Sequence, residues 1–245
     1  MPRIFIPPGC INGDTAVLPE SDARRLLRVL RMGPGDAVTL FDGATEYSSR
    51  ITSIGTKSAI LEILESTVTA SEPRLEITLG QGLPKGEKLE WVVQKAVELG
   101  VGTVVPVVMD RSVKRPDESG RGVRHDRLAR IATEAAQQSG RTRVPEVAAQ
   151  TGLAGFLDIV ADAGLKLVFY EGSKTSSLRE ILHSANGVKS VAVLVGPEGG
   201  LTGDEVMLAV SRGFVAAGIG PRILRTETAG LAALSIIQFE LGDIG

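Results

Sequence analysis

The chain has 245 residues, 43% hydrophobic and 23% charged, enough apolar content for one large or two ordinary packed domains. A single cysteine, Cys10, excludes an internal disulfide, and with only His125 and His183 beside it a zinc centre is not expected. The formal net charge of -2 gives no bulk attraction for nucleic acid, no apolar run approaches the roughly 20 residues that cross a bilayer, and the proline-broken N-terminus is no signal peptide, so a cytoplasmic protein without membrane or metal partner is expected.

The first stretch reads as short strands. Residues 37–41 lead into Asp42-Gly43, a strong turn pair, and 47–54 and 57–64 follow with β-branched residues in partial alternation. Residues 24–31 read as one short helix with Leu26, Leu27 and Leu30 inward and Arg24, Arg28 and Arg31 outward, stopped by Gly33-Pro34-Gly35. Several short strands in this length suggest a small barrel. The polar stretch 67–73 ends in proline and sets a domain boundary, giving 1–72 and 73–245.

Beyond it the pattern changes. Strands are expected at 75–79, 104–108, 165–170, 191–195 and 214–217. Helices are expected at 88–99, 127–139, from the capping box Thr202-Gly-Asp-Glu205 to 212, and at 226–241. The run Val191-Ala-Val-Leu-Val195 is apolar throughout, as a strand covered on both faces must be. Strands alternating with helices give an α/β domain with a mostly parallel sheet and helices on both faces.

In such sheets ligands bind beyond the carboxyl ends of the strands. Three successive strands end in glycine-bearing loops: Glu171-Gly172-Ser173, Gly196-Pro197-Glu198-Gly199-Gly200, and Gly218-Ile219-Gly220-Pro221 running on to Thr228. Glycine lets a backbone approach a ligand closely, although such loops are also ordinary connections. The dinucleotide and phosphate-loop fingerprints and the nucleophile elbow are absent. Glycine loops without a phosphate cradle suit a ligand gripped by backbone groups, and adenine with a methionine-like moiety fits. Between residues 111 and 143 nine basic residues against four acids leave +5, and Arg24, Arg25, Arg28 and Arg31 form a second cluster. These are phosphate-tracking surfaces or solvated helix faces.

At these residues the sequence resembles the ribosomal RNA small-subunit methyltransferase E family, of the SPOUT class. The resemblance rests on Gly196-Pro-Glu-Gly-Gly-Leu201 and Gly220-Pro-Arg-Ile-Leu-Arg-Thr-Glu-Thr-Ala229. Further matches are Gln94-Lys-Ala-Val-Glu-Leu-Gly-Val101, Gln138-Ser-Gly-Arg141 with Val144-Pro145, and Leu27-Arg-Val-Leu-Arg31 with Gly35-Asp36, in order along nearly the whole chain. It implies a PUA-like N-terminal β-barrel, a SPOUT-type trefoil-knotted α/β domain, and a homodimer whose active site is completed across the interface. It also implies S-adenosyl-L-methionine as cofactor and N3 of one uridine in 16S rRNA as target, within the small ribosomal subunit. Where the family often has histidine before the Leu-x-x-Val-Leu-Arg stretch, Arg24 and Arg25 stand here; Val97 replaces a usual threonine and Ile219 a common leucine.

On this resemblance the cofactor is expected against Tyr170, Glu171, Leu194, Gly196, Gly199, Gly200, Ile219, Gly220, Leu224, Arg225 and Thr228. RNA is expected on Arg3, Arg24, Arg25, Arg28, Arg31, Arg111, Lys114, Arg115, Arg121, Arg124 and Arg143, with 118–124 as a loop. The N3 proton must leave before methylation, so a carboxylate base or an arginine that steadies the anion is required. Glu198 and Arg141 are the candidates, against plainer roles as a loop hydrogen-bonder and a phosphate contact. Rival readings are a SPOUT enzyme acting on transfer RNA or a ribose, a non-catalytic ribosome-assembly clamp, and a nucleotide-binding oxidoreductase.

Overall fold

In a computed structural model of the chain, residues 1–7, 9–68, 72–112, 121–172 and 176–245 are described. They fall into two compact units, Met1–Glu72 with Ala136–Val144, and Pro73–Ala135 with Pro145–Gly245. The chain therefore leaves the first unit near the polar stretch read as a boundary and returns to it once.

The first unit holds β1 (Arg3–Phe5), β2 (Ile11–Asn12), β3 (Thr15–Leu18), α1 (Glu20–Arg24), β4 (Ala37–Phe41), β5 (Thr45–Ile54) and β6 (Ala59–Val68). Its six strands run in the order β1-β4-β5-β6-β3-β2, antiparallel except for β1 on β4. The pleat turns Val38, Leu40, Ile51, Ala59 and Leu61 onto one core with Ile4, Leu18 and Leu26. The turn between β4 and β5 is the Asp42-Gly43 pair: Gly43 takes φ +109, and Asp42 accepts the N–H groups of Ala44 and Thr45.

One expectation fails here. After α1 the chain makes a turn of π-helix, Arg25–Val29, in which the Leu30 N–H reaches the Arg25 carbonyl. The wider turn rotates the leucines out of helical register. Leu26 stays fully buried, but Leu30 is 40% exposed and its neighbour Val29 72%. Arg31 then adopts φ +54, a left-handed conformation rare for arginine.

Glu72 fastens the returning segment. One carboxylate oxygen accepts the backbone N–H groups of Thr142 and Arg143 at 2.9 Å each, and the other accepts Nη2 of Arg141 at 2.6 Å and its Nε at 3.2 Å. Arg3 adds a second tie: it pairs with Glu46, donates to the carbonyls of Gly140 and Arg141, and lies 5.1 Å over the Phe41 ring.

The second unit contains β7 (Glu76–Gly82), α2 (Lys88–Glu98), β8 (Thr103–Val108), α3 (Arg121–Ser139), β9 (Glu146–Val147), β10 (Thr151–Gly152) and α4 (Leu153–Ile159). It continues with β11 (Leu165–Phe169), β12 (Ser176–Ser177), α5 (Leu178–Ser184), β13 (Ser190–Val195), α6 (Gly203–Ser211), β14 (Val215–Gly218) and α7 (Thr226–Leu241). The end of α3 belongs to the first unit. The strands are all parallel, ordered β10-β8-β7-β13-β11-β14-β12, with β9 also on β8. The capping box on α6 forms as read, Thr202 and Glu205 exchanging side-chain and backbone bonds. Helix α3 begins at Arg121, earlier than expected, because extending an existing helix through Gly122 costs only about 1 kcal/mol, far less than starting one. Among the described residues no helix is long and apolar enough to cross a membrane.

Because Arg141 is 7% exposed in its side chain, Glu72→Ala should destabilise the protein by about 3 kcal/mol. Urea unfolding would show this as a lower midpoint at constant m-value; an unchanged midpoint would mean the pair holds nothing.

Candidate cofactor site

Strands β13, β11 and β14 are adjacent in the sheet, so their three glycine loops leave its carboxyl edge side by side. Strand β7 lies on the other side of β13, with Gln81 opposite Val195. The two chains separate at a tight contact. A Cβ on Gly82 would stand 2.5 Å from the nitrogen of Pro197 and 2.7 Å from the carbonyl carbon of Gly196, so only glycine fits.

The loop that follows β13 is held from several directions. The hydroxyl of Thr226, first residue of α7, donates to the Gly196 carbonyl at 2.5 Å, and the buried Gln81 amide donates to that hydroxyl at 2.8 Å. Arg111 donates to the Gly199 carbonyl at 2.9 Å. The carboxylate of Glu205 accepts the N–H of Asp110 at 2.9 Å, tying the start of α6 to the end of β8.

Glu198 points back toward α2. It accepts the N–H of Lys85 at 3.0 Å and the ammonium of Lys88 at 3.2 Å, and Lys88 also donates to Glu227 of α7 at 3.3 Å. Partial burial pushes the Glu198 carboxyl up. The N–H of Lys85, its own N–H and the Lys88 charge together outweigh that effect and hold it below the ordinary value of 4.5. The hydrogen bond to Glu198 in turn raises the Lys88 ammonium.

These loops fit an adenosyl ligand. Gly220 takes φ +130 with nothing within 4 Å of where a Cβ would stand, leaving bare backbone on open space. Gly200 takes φ +70, where only the far end of Arg111 comes as near as 4.0 Å. A half-open cavity of about 550 Å³ beside the loop after β14 is lined by Gly218, Ile219 and Gly220 together with Leu178, Ile236 and Phe239 among others, and the 196–200 loop does not line it.

The comparisons agree with this geometry. Residues 71–238 match the RNA methyltransferase domain family, and 18–64 match the RNA methyltransferase PUA domain. The ribosomal RNA small subunit methyltransferase E of Bacillus subtilis (strain 168) is 35% identical over 225 residues, covering 89% of this chain and 88% of that protein. The chain belongs to the ribosomal RNA small subunit methyltransferase E family. Its fold matches the crystal structure of the Neisseria gonorrhoeae member bound to S-adenosyl methionine, with a TM-score of 0.90, 36% identity and full coverage of both chains. A Legionella pneumophila methyltransferase solved with bound SAM matches at a TM-score of 0.91 and 32% identity, covering 99% of this chain and 98% of that one.

The methyltransferase distributes the expected residues unevenly. Gly196, Gly199, Gly200, Leu224 and Arg225 lie on the two loops joined through Thr226, Thr228 lies in the first turn of α7, and Ile219 and Gly220 also line the cavity. Tyr170 is half-buried against the core and Glu171 is exposed. The side chain of Leu194 is fully buried in the core cluster with Val168 and Leu201, so only its backbone is left to meet a ligand.

Both catalytic candidates are held in ion pairs. Arg141 is buried in the first unit with its guanidinium on Glu72, and a neutralised charge of that kind is poorly placed to steady an anion. Glu198 is an ionised anchor, and a carboxylate held below its ordinary value is a weak proton acceptor. Among the expected RNA residues, Arg28, Arg31, Arg111 and Arg143 are exposed, and Arg24 is exposed beside Glu20. Arg25 donates to Gln137 and Arg3 is taken up within its unit. Lys114 and Arg115 lie outside the described residues, as do the side chains of Arg121 and Arg124. Sequence reasoning missed Gln81, Lys88 and Thr226; the signal for the first was a lone polar residue between Gly80 and Gly82 at the end of an apolar strand.

Since a depressed carboxyl contributes stability above its unfolded value and loses it as pH falls through the folded one, Glu198→Gln should destabilise the methyltransferase at neutral pH. The difference from wild type should shrink as pH falls below 4.5 and vanish once pH passes below the lower value of the folded carboxyl. Paired melting curves against pH would check this; a difference that persists in acid would show that charge is not what Glu198 contributes.

Proposed function

We propose that the protein transfers a methyl group from S-adenosyl-L-methionine to N3 of a uridine in 16S rRNA, acting in the cytoplasm on the assembled small ribosomal subunit. The observation that carries this reading is the pair of loops after β13 and β14, joined through Thr226 at the carboxyl edge of the parallel sheet. The full-length match to a relative solved with S-adenosyl methionine supports it. The cofactor supplies an electrophilic methyl group on a sulfonium. The protein's work is to hold that group and the uracil in near-attack alignment, which lowers the barrier by removing translational and rotational freedom.

In this reading the bare backbone of Gly199, Gly200 and Gly220 grips the adenosine and methionine portions, with Ile219 and Leu224 as apolar walls. Arg111 beside Gly199 and Arg225 at the start of α7 put positive charge at this edge. Such charge favours the N3 anion over neutral uracil, whose proton passes to solvent; as the N3–methyl bond forms, the sulfonium–methyl bond breaks and the cofactor leaves as a neutral thioether. Glu198 keeps the loop in place. Exposed Arg28 and Arg31 of the first unit contact phosphates.

The family's trefoil knot and homodimer are part of the proposal. Supporting a dimer, helices α2 and α7 pack together while Trp91 and Phe239 on them remain 46% and 65% exposed. Exposed apolar groups of this kind mark association surfaces. Sedimentation should give twice the mass of the chain, and a monomer at micromolar concentration would overturn that part.

The enzyme should be incubated with labelled S-adenosyl-L-methionine and small subunits from cells lacking the activity, then the RNA read by primer extension. A methyl on N3 blocks the Watson–Crick edge, so one new stop in 16S rRNA is expected. Incorporation without a stop would overturn the N3 assignment in favour of a ribose target. No incorporation into subunits by cofactor-bound protein would overturn the substrate.

A further inference from the structure

Gln81 is the one fully buried polar side chain of β7, and methionine, close to it in length, would bring no polar group to satisfy there. Its carboxamide oxygen has no hydrogen-bond partner, which costs stability at a buried site. What the amide supplies, and an apolar side chain would not, is two donors. One goes to the Gly82 carbonyl at 3.1 Å and the other to the Thr226 hydroxyl at 2.8 Å.

The direction of this chain of bonds is fixed by its ends. The Gly196 carbonyl only accepts, so the Thr226 hydroxyl proton must point at it. The hydroxyl is then left with lone pairs toward Gln81, and the Gly82 carbonyl likewise offers only an acceptor. A reversed amide would set its oxygen against both, so the NH2 group must face them. Two glycines keep the chain short. A Cβ at Gly82 would strike the Gly196–Pro197 peptide, and one at Gly230 in α7 would stand 3.2 Å from the Gln81 oxygen.

We infer that the relay from the Gln81 amide through the Thr226 hydroxyl to the Gly196 carbonyl sets the first peptide plane of the 196–200 loop and makes Gln81 a positioning residue for cofactor binding. The inference rests on the reading that this loop holds S-adenosyl-L-methionine. The relay joins β7, the β13 loop and α7 through buried atoms, where salt does not screen it. The exposed Lys88 link between Glu198 and Glu227 joins the loop and α7 from outside. With the Gly196 peptide plane released, the following glycines sample many orientations, and binding must then order them.

The test uses the full-length, cofactor-free protein. Titration calorimetry with S-adenosyl-L-methionine, hydrogen exchange of the Gly199 and Gly200 amides and the melting midpoint are measured for Thr226→Val, Thr226→Ser and Gln81→Met. The valine and methionine variants should bind about tenfold more weakly, as expected for buried groups left without partners, with faster loop exchange and protection elsewhere unchanged. Thr226→Ser, which keeps the hydroxyl, should bind within about twofold of wild type. Wild-type affinity in folded Thr226→Val and Gln81→Met would overturn the relay while leaving the cofactor reading intact. A wild-type protein that binds no S-adenosyl-L-methionine would overturn that reading, and the positioning role with it.

Discussion

No non-bonded heavy atom sits as near a Cβ as 2.5 Å, the distance at which one on Gly82 would meet the backbone nitrogen of Pro197. The sheet therefore ends in two main chains in contact, with no side chain between them. That closeness lets one buried glutamine on β7 reach the first residue of α7, and lets that residue reach the loop after β13. A loop rich in glycine is by itself a poor ligand site, because each glycine loses the most freedom on ordering. Here the freedom is removed at the root of the loop and kept only where bare backbone faces open space, at Gly200 and Gly220.

Several arginines that look like an RNA surface in the sequence are consumed within the fold. Arg3 spans a carboxylate, two carbonyls and an aromatic ring, and Arg141 closes on Glu72. A planar guanidinium with donors in a fixed fork suits such multiple contacts, which lysine would not reproduce. Arg111 shows the mixed case, an exposed side chain that organises a loop through one donor while its charge still faces solvent. Two exposed cations of the first unit stand at the π-turn, where Arg28 and Arg31 flank the exposed Val29 and Leu30.

Much of this was legible in the sequence. The apolar run at 191–195 marks a strand covered on both faces, the Thr202 capping box marks the start of α6, and the alternation of strands and helices gives the parallel sheet. The ordered motifs give the family. What escaped was one local irregularity and the contacts between residues distant in sequence. Leu30 fails to face the core because one hydrogen bond shifts from i+4 to i+5, and no propensity records that. Arg141 could be read as a phosphate contact or a catalyst because its partner, Glu72, lies 69 residues away. Gln81 and Thr226 are 145 residues apart, and neither resembles a motif alone.

The fastening of residues 136–144 to the first unit has a consequence for how the chain is made. When Glu72 has been synthesised, both backbone N–H groups it accepts lie about seventy residues ahead. At ordinary translation rates of roughly 5–20 residues per second, the interval is roughly 4–14 s. Through that time the six strands are complete, but the Glu72 carboxylate and the Arg3 guanidinium lack the backbone groups they finally bind. Final closure of the N-terminal unit thus waits on the synthesis of more than a third of the second, and the native state of the first is reached out of order with its position in the gene.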